Sequence, residues 1–530
     1  MNNVVLVGFM GSGKSTVGRV LAERTNRSFV DLDDDIAADA GRSISEIFAD
    51  EGEAGFRRRE AHGLRRALMK QDIIVAAGGG APLPDENWHQ MREGNCVVSL
   101  MAEPAELARR LNGARGRPLL QPDVPSAIAT LLPNRIGRYD AADLVIGTDG
   151  RKPVEVAHDI ESRLPRGGVH RIAIDVPNAP HEVTIGQRLP SLVAQTVKRM
   201  APSQPVVIVS DWVIMRHHLR PLADALKSLD ITATSVSVPL GEPAKELEAL
   251  AAIYVDLGTT GTDRQGCLIA LGGGTVGDVA GFAAATWMRG IRYIQVPTTL
   301  LAMVDSSIGG KTGINMPAGK NLVGAVHQPA AIFCDIEYLE SLPGEEYRAA
   351  LAEIIKAGMI ADRSFVDWLS ANISGLLERD GDIVHEAIRR AIRIKADVVA
   401  RDPYETGERA ILNYGHTAAH ALERAAGYGK FRHGEAVAWG MEVAARISVM
   451  NHYCRAEDVT LQHMLLERAG LLTSRPVVKP LDLLSAMQHD KKSRAGNPRW
   501  VLLREVGRVA YGDEIGEPIV WEAFKEVLGI

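Results

Sequence analysis

The chain has 530 residues, 46% of them apolar and 24% charged, with a formal net charge of −6. That length exceeds what one hydrophobic core supports, so at least two domains are expected. The mildly acidic balance excludes a general nucleic-acid binder, which needs a basic face. No apolar run approaches the ~20 residues of a membrane span, and no basic stretch leads into the apolar core of a secretory leader. A cytoplasmic protein is therefore expected. Cys96, Cys267, Cys334 and Cys454 form no CxxC pair and are expected to be free thiols in a reducing compartment.

In chain order, Val4–Val7, Ile73–Ala77, Val97–Leu100 and Leu144–Ile146 are short apolar runs between helical patterns. They predict buried strands of a parallel sheet with helices on both faces. Residues 163–169, rich in Pro and Gly, predict a linker. A second α/β pattern follows, with strands expected at Val206–Ser210, Ala233–Val238, Cys267–Leu271 and Tyr293–Val296. From about residue 345 helical periodicity dominates. The expected class is α/β: a parallel-sheet domain over 1–165, a Rossmann-like α/β domain over 169–340 and a mostly helical domain over 341–530.

The first chemical signal is Gly8-Phe-Met-Gly-Ser-Gly13-Lys14-Ser15, which fits G-x-x-x-x-G-K-[ST] between a strand and a helix. Glycines let backbone N–H groups turn toward phosphates, and the helix N-terminus adds positive potential. Gly11, Ser12, Gly13, Lys14, Ser15 and Thr16 are thus expected to hold ATP, with Lys14 on the β/γ-phosphates and the Ser15 hydroxyl on Mg2+. Asp31 and Asp33 follow a second apolar run, where carboxylates face the crevice at the strand ends. Arg57, Gly78-Gly79-Gly80, the Arg115-Gly-Arg117-Pro118 loop, Arg135 and Tyr139 come next. Arginine forks suit a carboxylate; Arg58 and Arg59 read as solvated helix-face charges.

This succession over residues 1–165 resembles the shikimate kinase family. The resemblance implies that Asp31 holds Mg2+ through water, Asp33 orients the attacked hydroxyl, and Arg57 and Arg135 grip the substrate carboxylate. It implies that Gly78, Gly79 and Gly80 contact the ring and that Arg117 is a lid arginine on the ATP phosphates. Where the family commonly has Pro and Leu before its tyrosine, this chain reads Arg135-Ile-Gly-Arg138-Tyr139, so Arg138 competes with Arg135 for the carboxylate.

The second signal is Gly272-Gly273-Gly274-Thr275-Val276-Gly277-Asp278. It contains G-x-G-x-x-G after a strand but lacks the acidic residue about 20 positions on; Asp211 is the candidate substitute. Gly309-Gly310-Lys311-Thr312 is not a phosphate loop, because Asp305 stands where the leading glycine belongs. Glu353, His416, His420 and His433 offer a carboxylate and imidazoles suited to a catalytic metal. Spacing alone leaves open which of them bind it. Lys311, Lys320, Lys356, Lys395, Arg409 and Lys491 suit a substrate bearing both phosphate and carboxylate.

From 169 to 530 the chain resembles the 3-dehydroquinate synthase family. The matching segments include Gly241-Glu242, Lys245, Gly272–Asp278, Arg289, Thr298-Thr299, Gly319-Lys320-Asn321, Asn413–His416, His433-Gly-Glu and Asp490-Lys491-Lys492. By resemblance, Asp211, Glu242, Lys245, Gly274, Gly277, Asp278, Thr298 and Thr299 contact NAD+, together with Lys311 and Lys320, and Glu353, His416 and His433 bind Zn2+ or Co2+. Lys356, Lys395, Arg409, Asn413, His420 and Lys491 surround the substrate with Asp305, Lys311, Lys320 and Asn321. Arg289 is expected to reach a neighbouring subunit's substrate, which implies a homodimer. Lys14 and Asp33 in the first half, and Lys356, His420, Arg409 and Lys311 in the second, are the expected catalytic groups.

The implied reaction converts a heptulosonate 7-phosphate to 3-dehydroquinate and phosphate, with NAD+ recycled within each turnover. His420 is the candidate for proton transfer. Two other readings stand beside it: a metal-dependent polyol dehydrogenase sharing the fold, and a scaffold in which one half has lost activity.

Overall fold

In this computed structural model residues 3–112, 123–427, 430–488 and 499–530 are described. The chain divides into two compact units. One comprises Met1–Arg171, Thr184–Gln204 and Arg220–Ala233; the other comprises Ile172–Val183, Pro205–Leu219 and Thr234–Ile530. The second unit holds the later α/β elements and the C-terminal helices together.

The first sheet has five strands: β1 (Val4–Val7), β2 (Ser28–Asp31), β3 (Ile73–Ala76), β4 (Cys96–Met101) and β5 (Leu144–Gly147). Their order is β2-β3-β1-β4-β5, and every neighbouring pair is parallel. Parallel neighbours require crossovers, and the crossover helices cover both faces. That is why β1 and β3 are wholly buried and apolar. Leu6 and Asp31 both pair with Ala76, so the carboxyl ends of β1, β2 and β3 lie level. The glycine loop, the Asp31–Asp33 turn and the Gly78–Gly80 turn leave the sheet side by side.

The second sheet contains β6 (Arg166–Ile174), β7 (His181–Gln187), β8 (Val206–Asp211), β9 (Ala233–Val238), β10 (Cys267–Gly272), β11 (Arg292–Pro297) and a later strand, Ala331–Asp335. Two strands between β11 and that one, β12 (Lys311–Met316) and β13 (Gly319–Val326), form a separate antiparallel hairpin. With Ala331–Asp335 as β14, the sheet order is β6-β7-β14-β11-β10-β8-β9. β10 lies between β8 and β11, parallel to both, and is buried throughout. The apolar runs expected as strands are all strands, to within one residue at either end.

The expected linker at 163–169 is corrected by the structure, because β6 begins at Arg166. Pro165 and two glycines signal a break, but Val169, Ile172 and Ile174 are buried. β6 is an edge strand, where glycine is tolerated.

After Gly344 the described regular elements are helices apart from the hairpin β15 (Arg499–Glu505) and β16 (Arg508–Glu514). Helices Gly344–Ala361 and His433–Met450 are buried around most of their circumference, consistent with apolar residues on all faces. Their close approach rests on glycine: a Cβ at Gly434 would lie 1.8 Å from the Ala349 carbonyl oxygen. Among the described residues no helix is long and apolar enough to cross a membrane. Cys96, Cys267 and Cys334 are buried free thiols, and Cys454 is a half-buried one.

Candidate active sites

In the first unit the chemistry begins where the chain leaves β1. Gly8 has φ +138°, and a Cβ there would sit 2.3 Å from the Leu100 carbonyl oxygen. Gly13, at φ +97°, turns the chain into the helix Lys14–Thr25. The loop borders a cleft of ≈ 730 Å³ lined by Gly11–Thr16, Asp31, Asp33, Gly78 and Gly79. Lys14 Nζ folds over the loop, donating to the carbonyls of Gly8 (2.9 Å) and Phe9 (3.0 Å). The Ser12 hydroxyl is buried without a hydrogen-bond partner, an unmet demand that a ligand oxygen would satisfy. Asp31 Oδ1 accepts from Asp33 N (3.1 Å), capping the helix Leu32–Ala40. Arg110 donates to Gly11 O (3.3 Å) and Thr148 Oγ1 (3.0 Å). The sequence does not single it out, since it is one of two adjacent arginines on a short helix. Arg117 lies outside the described residues.

Beside this cleft three glycines meet four charged side chains. A Cβ at Gly80 would lie 2.4 Å from both terminal nitrogens of Arg57, one at Gly78 would lie 2.4 Å from Glu60 Oε1 and 3.2 Å from Asp33 Oδ1, and one at Gly79 would lie 3.4 Å from Arg135 Nη1. The triple glycine is therefore the space these groups occupy. Arg57 Nη1 donates to Glu60 Oε2 (2.7 Å), and Tyr139 donates to the Gly79 carbonyl (2.6 Å). Burial raises the Glu60 carboxyl above its ordinary value despite Arg57 beside it, and burial pushes the Tyr139 phenol up to about 12. Arg135 is buried with its guanidinium over the Phe9 ring. Arg138 instead pairs with exposed Asp85 and lies over Trp88. Of the two rivals, Arg135 is the one brought to the glycines. Glu60 was not distinguishable in sequence from other helix-face acids; only its complete burial sets it apart.

In the second unit a cleft of ≈ 1280 Å³ runs from the glycine turn after β10 to the helices. Asp211, Glu242, Lys245, Gly274, Asp278, Thr298 and Thr299 line it, as do Asp305, Lys320, Asn321, His420 and His433. Gly274 opens the helix Gly274–Thr286. At Gly277 a Cβ would lie 2.8 Å from Gln295 Oε1, so glycine is needed there for helix–sheet packing. Asp211 ends β8, and its Oδ1 accepts from Val213 N (2.9 Å) and Ile214 N (3.0 Å). Lys245 donates to Asp278 (2.5 Å) and contacts the Asn321 side chain. Burial raises Asp278 above its ordinary range, with Lys245 opposing it. Lys320 reaches Glu242 (3.5 Å). The Thr298 hydroxyl is buried and unpartnered.

Glu353, His416 and His433 converge from three helices, with one ligand atom of each within 4.8 Å of the others. His416 Nε2 is 3.7 Å and His433 Nε2 3.8 Å from Glu353 Oε1. That oxygen is buried with no hydrogen-bond partner, while the other oxygen contacts Lys356. A buried carboxylate oxygen facing two imidazoles without a donor fits a divalent cation. His420 stands edge-on to His416, 5.8 Å between ring centroids, and is outside the three-ligand group. Glu423 Oε1 approaches His433 Nδ1 (3.8 Å); no sequence pattern marked it.

The remaining cations surround this group. Lys395 donates to the Asp305 carbonyl (2.7 Å) and contacts its carboxylate. Burial lowers the Lys395 ammonium, with Asp305 opposing the fall. Burial works to raise Asp305, but Lys395 and Lys356 outweigh it and hold the carboxyl well below its usual range. Arg409 is buried and donates to Pro403 O (2.7 Å) and Gly309 O (3.2 Å), while its Nε has no partner. Lys311 contacts Glu405, which also accepts from Asn413 Nδ2 (2.8 Å). Glu405 is thus an acidic member of the basic pocket that the sequence did not reveal. Arg289 is exposed, at φ +66° in the short turn Trp287–Arg289, and is not among the cleft-lining residues. Lys491 lies outside the described residues.

Fold and sites together define a P-loop kinase fold followed by an α/β and helical enzyme fold with a Glu-His-His cluster beside a glycine turn. The shikimate kinase family model matches residues 10–165. Models for the N-terminal and C-terminal parts of 3-dehydroquinate synthase match residues 235–349 and 350–493. A 3-dehydroquinate synthase of Acidithiobacillus ferrooxidans is 46% identical over 59% of this chain and 85% of its own length; one from Nitrosomonas europaea is 42% identical over 66% and 95%. A solved 2-deoxy-scyllo-inosose synthase, complexed with carbaglucose-6-phosphate, NAD+ and Co2+, is 27% identical, with a TM-score of 0.63 over 67% of this chain and 99% of its own. The chain belongs to the 3-dehydroquinate synthase family through its C-terminal part and carries a shikimate kinase family domain before it. It is an enzyme with kinase and lyase activities. These matches do not favour a polyol dehydrogenase.

Proposed function

We propose that the first unit transfers the γ-phosphoryl group of Mg2+-ATP to shikimate, and that the second converts 3-deoxy-D-arabino-heptulosonate 7-phosphate to 3-dehydroquinate and phosphate with NAD+ and Zn2+ or Co2+. The domain limits that go with this reading are 1–165, 169–340 and 341–530. The synthase works as a cytoplasmic homodimer in which Arg289 serves a neighbouring copy's substrate.

In the kinase, Arg57 and Arg135 grip the substrate carboxylate bidentately, and Asp33 accepts the proton of the attacked hydroxyl. Lys14 leaves its loop carbonyls to neutralise charge on the transferred group. Ser15 and Asp31 hold the cation.

In the synthase, Glu353, His416 and His433 hold the metal. When bound, the metal polarises the substrate hydroxyl, and the dinucleotide accepts and returns a hydride. Asp211, Glu242, Lys245 and Asp278 orient the dinucleotide against the glycine turn. Lys311, Lys356, Lys395 and Arg409, with Asn413, neutralise the substrate phosphate and carboxylate, and His420 moves a proton at the substrate hydroxyl.

The single observation that carries this reading is the unpartnered Glu353 oxygen between two imidazoles, at the edge of a cleft that also holds the glycine turn. A neutral polyol would need no cluster of buried lysines. The test supplies the heptulosonate phosphate with NAD+ and metal and follows phosphate release and absorbance at 340 nm together. Stoichiometric phosphate without lasting NADH is expected. Net NADH accumulation would overturn the synthase assignment.

A further inference from the structure

One buried polar chain behind the metal cluster has no part in the chemistry above. Tyr414 is fully buried. Its hydroxyl donates to Gln462 Oε1 (2.7 Å), Gln462 Nε2 donates to Glu442 Oε1 (3.0 Å), and Glu442 Oε2 bonds His463 Nδ1 (2.7 Å). Gln462 and Glu442 are buried, and His463 is half exposed. Every donor in this chain meets one acceptor, so the direction of each bond is set by its neighbour. An apolar filling of the same volume would avoid desolvating a carboxylate in the core. Packing alone does not require these groups.

The other end of Tyr414 leads to the metal cluster. Its backbone carbonyl lies 3.4 Å from His416 Nδ1, which leaves Nε2 facing Glu353. Between them Gly415, at φ +81°, admits no side chain: a Cβ would lie 2.8 Å from Met441 Cγ and 2.9 Å from Met441 N. The reciprocal position, Gly440, would place a Cβ 2.1 Å from the Gly415 carbonyl oxygen. The turn is therefore clamped on the helix His433–Met450 at one point, and the phenol anchors it at a second. The carbonyl beside His416 Nδ1 thus belongs to a turn attached at two points.

We infer that Tyr414 is a positioning residue for the metal site: its phenol, held by Gln462 and Glu442, fixes the carbonyl that sets the tautomer and ring orientation of His416. This inference rests on the reading of Glu353, His416 and His433 as metal ligands. Ligating histidines gain from a fixed partner on the second nitrogen, and loss of such a partner weakens metal binding roughly 10–100-fold. Here the partner's own anchor is removed, so the low end of that range is expected.

The test uses the full-length chain. Tyr414→Phe removes one oxygen and keeps the ring; Glu442→Met keeps a similar volume, removes both acceptor oxygens and so breaks the chain one step further out. Zn2+ affinity is measured by competition with a chromophoric chelator, and the visible absorption of the Co2+-loaded protein reports ligand geometry. The expected result is Zn2+ affinity about tenfold weaker in Tyr414→Phe, an altered Co2+ spectrum, and a smaller change of the same kind in Glu442→Met. His416→Ala is the control for the underlying reading. If it abolishes Zn2+ binding while both folded variants keep wild-type affinity and spectrum, the positioning role is overturned and the metal reading stands. If His416→Ala also leaves Zn2+ affinity unchanged, the metal reading itself falls and takes the inference with it.

Discussion

The two clefts hold their charged and polar groups in different ways. In the first unit most of the site is backbone and glycine: a loop after β1, a triple glycine after β3, and side chains that fill the volume a Cβ would take. In the second unit the key groups are side chains projecting from packed helices, and its cations are buried beside acids: Lys356 against Glu353, Lys395 against Asp305. A loop-built site depends on local conformation and can be damaged by one methyl group. A helix-built site depends on how helices approach, so residues far from the chemistry can govern it.

The sharpest separation is metal removal. Dialysis against a strong chelator, followed by Mg2+ alone, is expected to abolish synthase turnover and leave shikimate phosphorylation intact; addition of Zn2+ or Co2+ restores the former. Loss of both activities would show that the two sites are not independent. The converse is Lys14→Met, for which kinase kcat should fall on the order of 10²–10³-fold with synthase turnover unchanged, measured on the same preparation.

The loop-built character is tested by Gly80→Ala. The added Cβ meets the Arg57 guanidinium, and a displacement of about 1 Å at a binding group can lower turnover by about 10²-fold. The expected signature is a lower kcat and a higher KM for shikimate with the KM for ATP unchanged. A smaller contrast separates the two rival arginines. Arg135→Ala should raise the shikimate KM roughly 10–100-fold, as expected for a lost charged hydrogen bond. Arg138→Ala, which loses only a pair with exposed Asp85, should change it less than about threefold.

The smallest effect concerns pH. Glu60 holds its proton more tightly folded than unfolded, because burial raises it above the ordinary 4.5. The unfolded chain loses this proton first, so the contribution of Glu60 to stability is complete below that value and is lost as pH rises through the raised one. The thermal midpoint of the wild type relative to Glu60→Gln should therefore fall across that window. A difference independent of pH would remove burial as the cause.

The sequence by itself determined the strands, the phosphate loop and the residue types of both sites. Buried parallel strands must be apolar along their whole length, and a phosphate loop needs glycine at positions set by backbone geometry. Such local requirements are written in consecutive residues. The sequence also placed Glu353, His416, His420 and His433 in one helical region; their spacing left open which of them bind metal, because spacing along a chain does not give distance between helices, and only the family resemblance assigned them roles. The tertiary structure separated them: glycines at 434 and 440 let three helices close on one point, and His416 and His433 then meet Glu353 while His420 stands aside. It also chose Arg135 over Arg138 at the triple glycine, and it drew in Glu60, Glu405 and Tyr414. Nothing in the local pattern distinguishes these from ordinary surface or core residues; burial and long-range packing do.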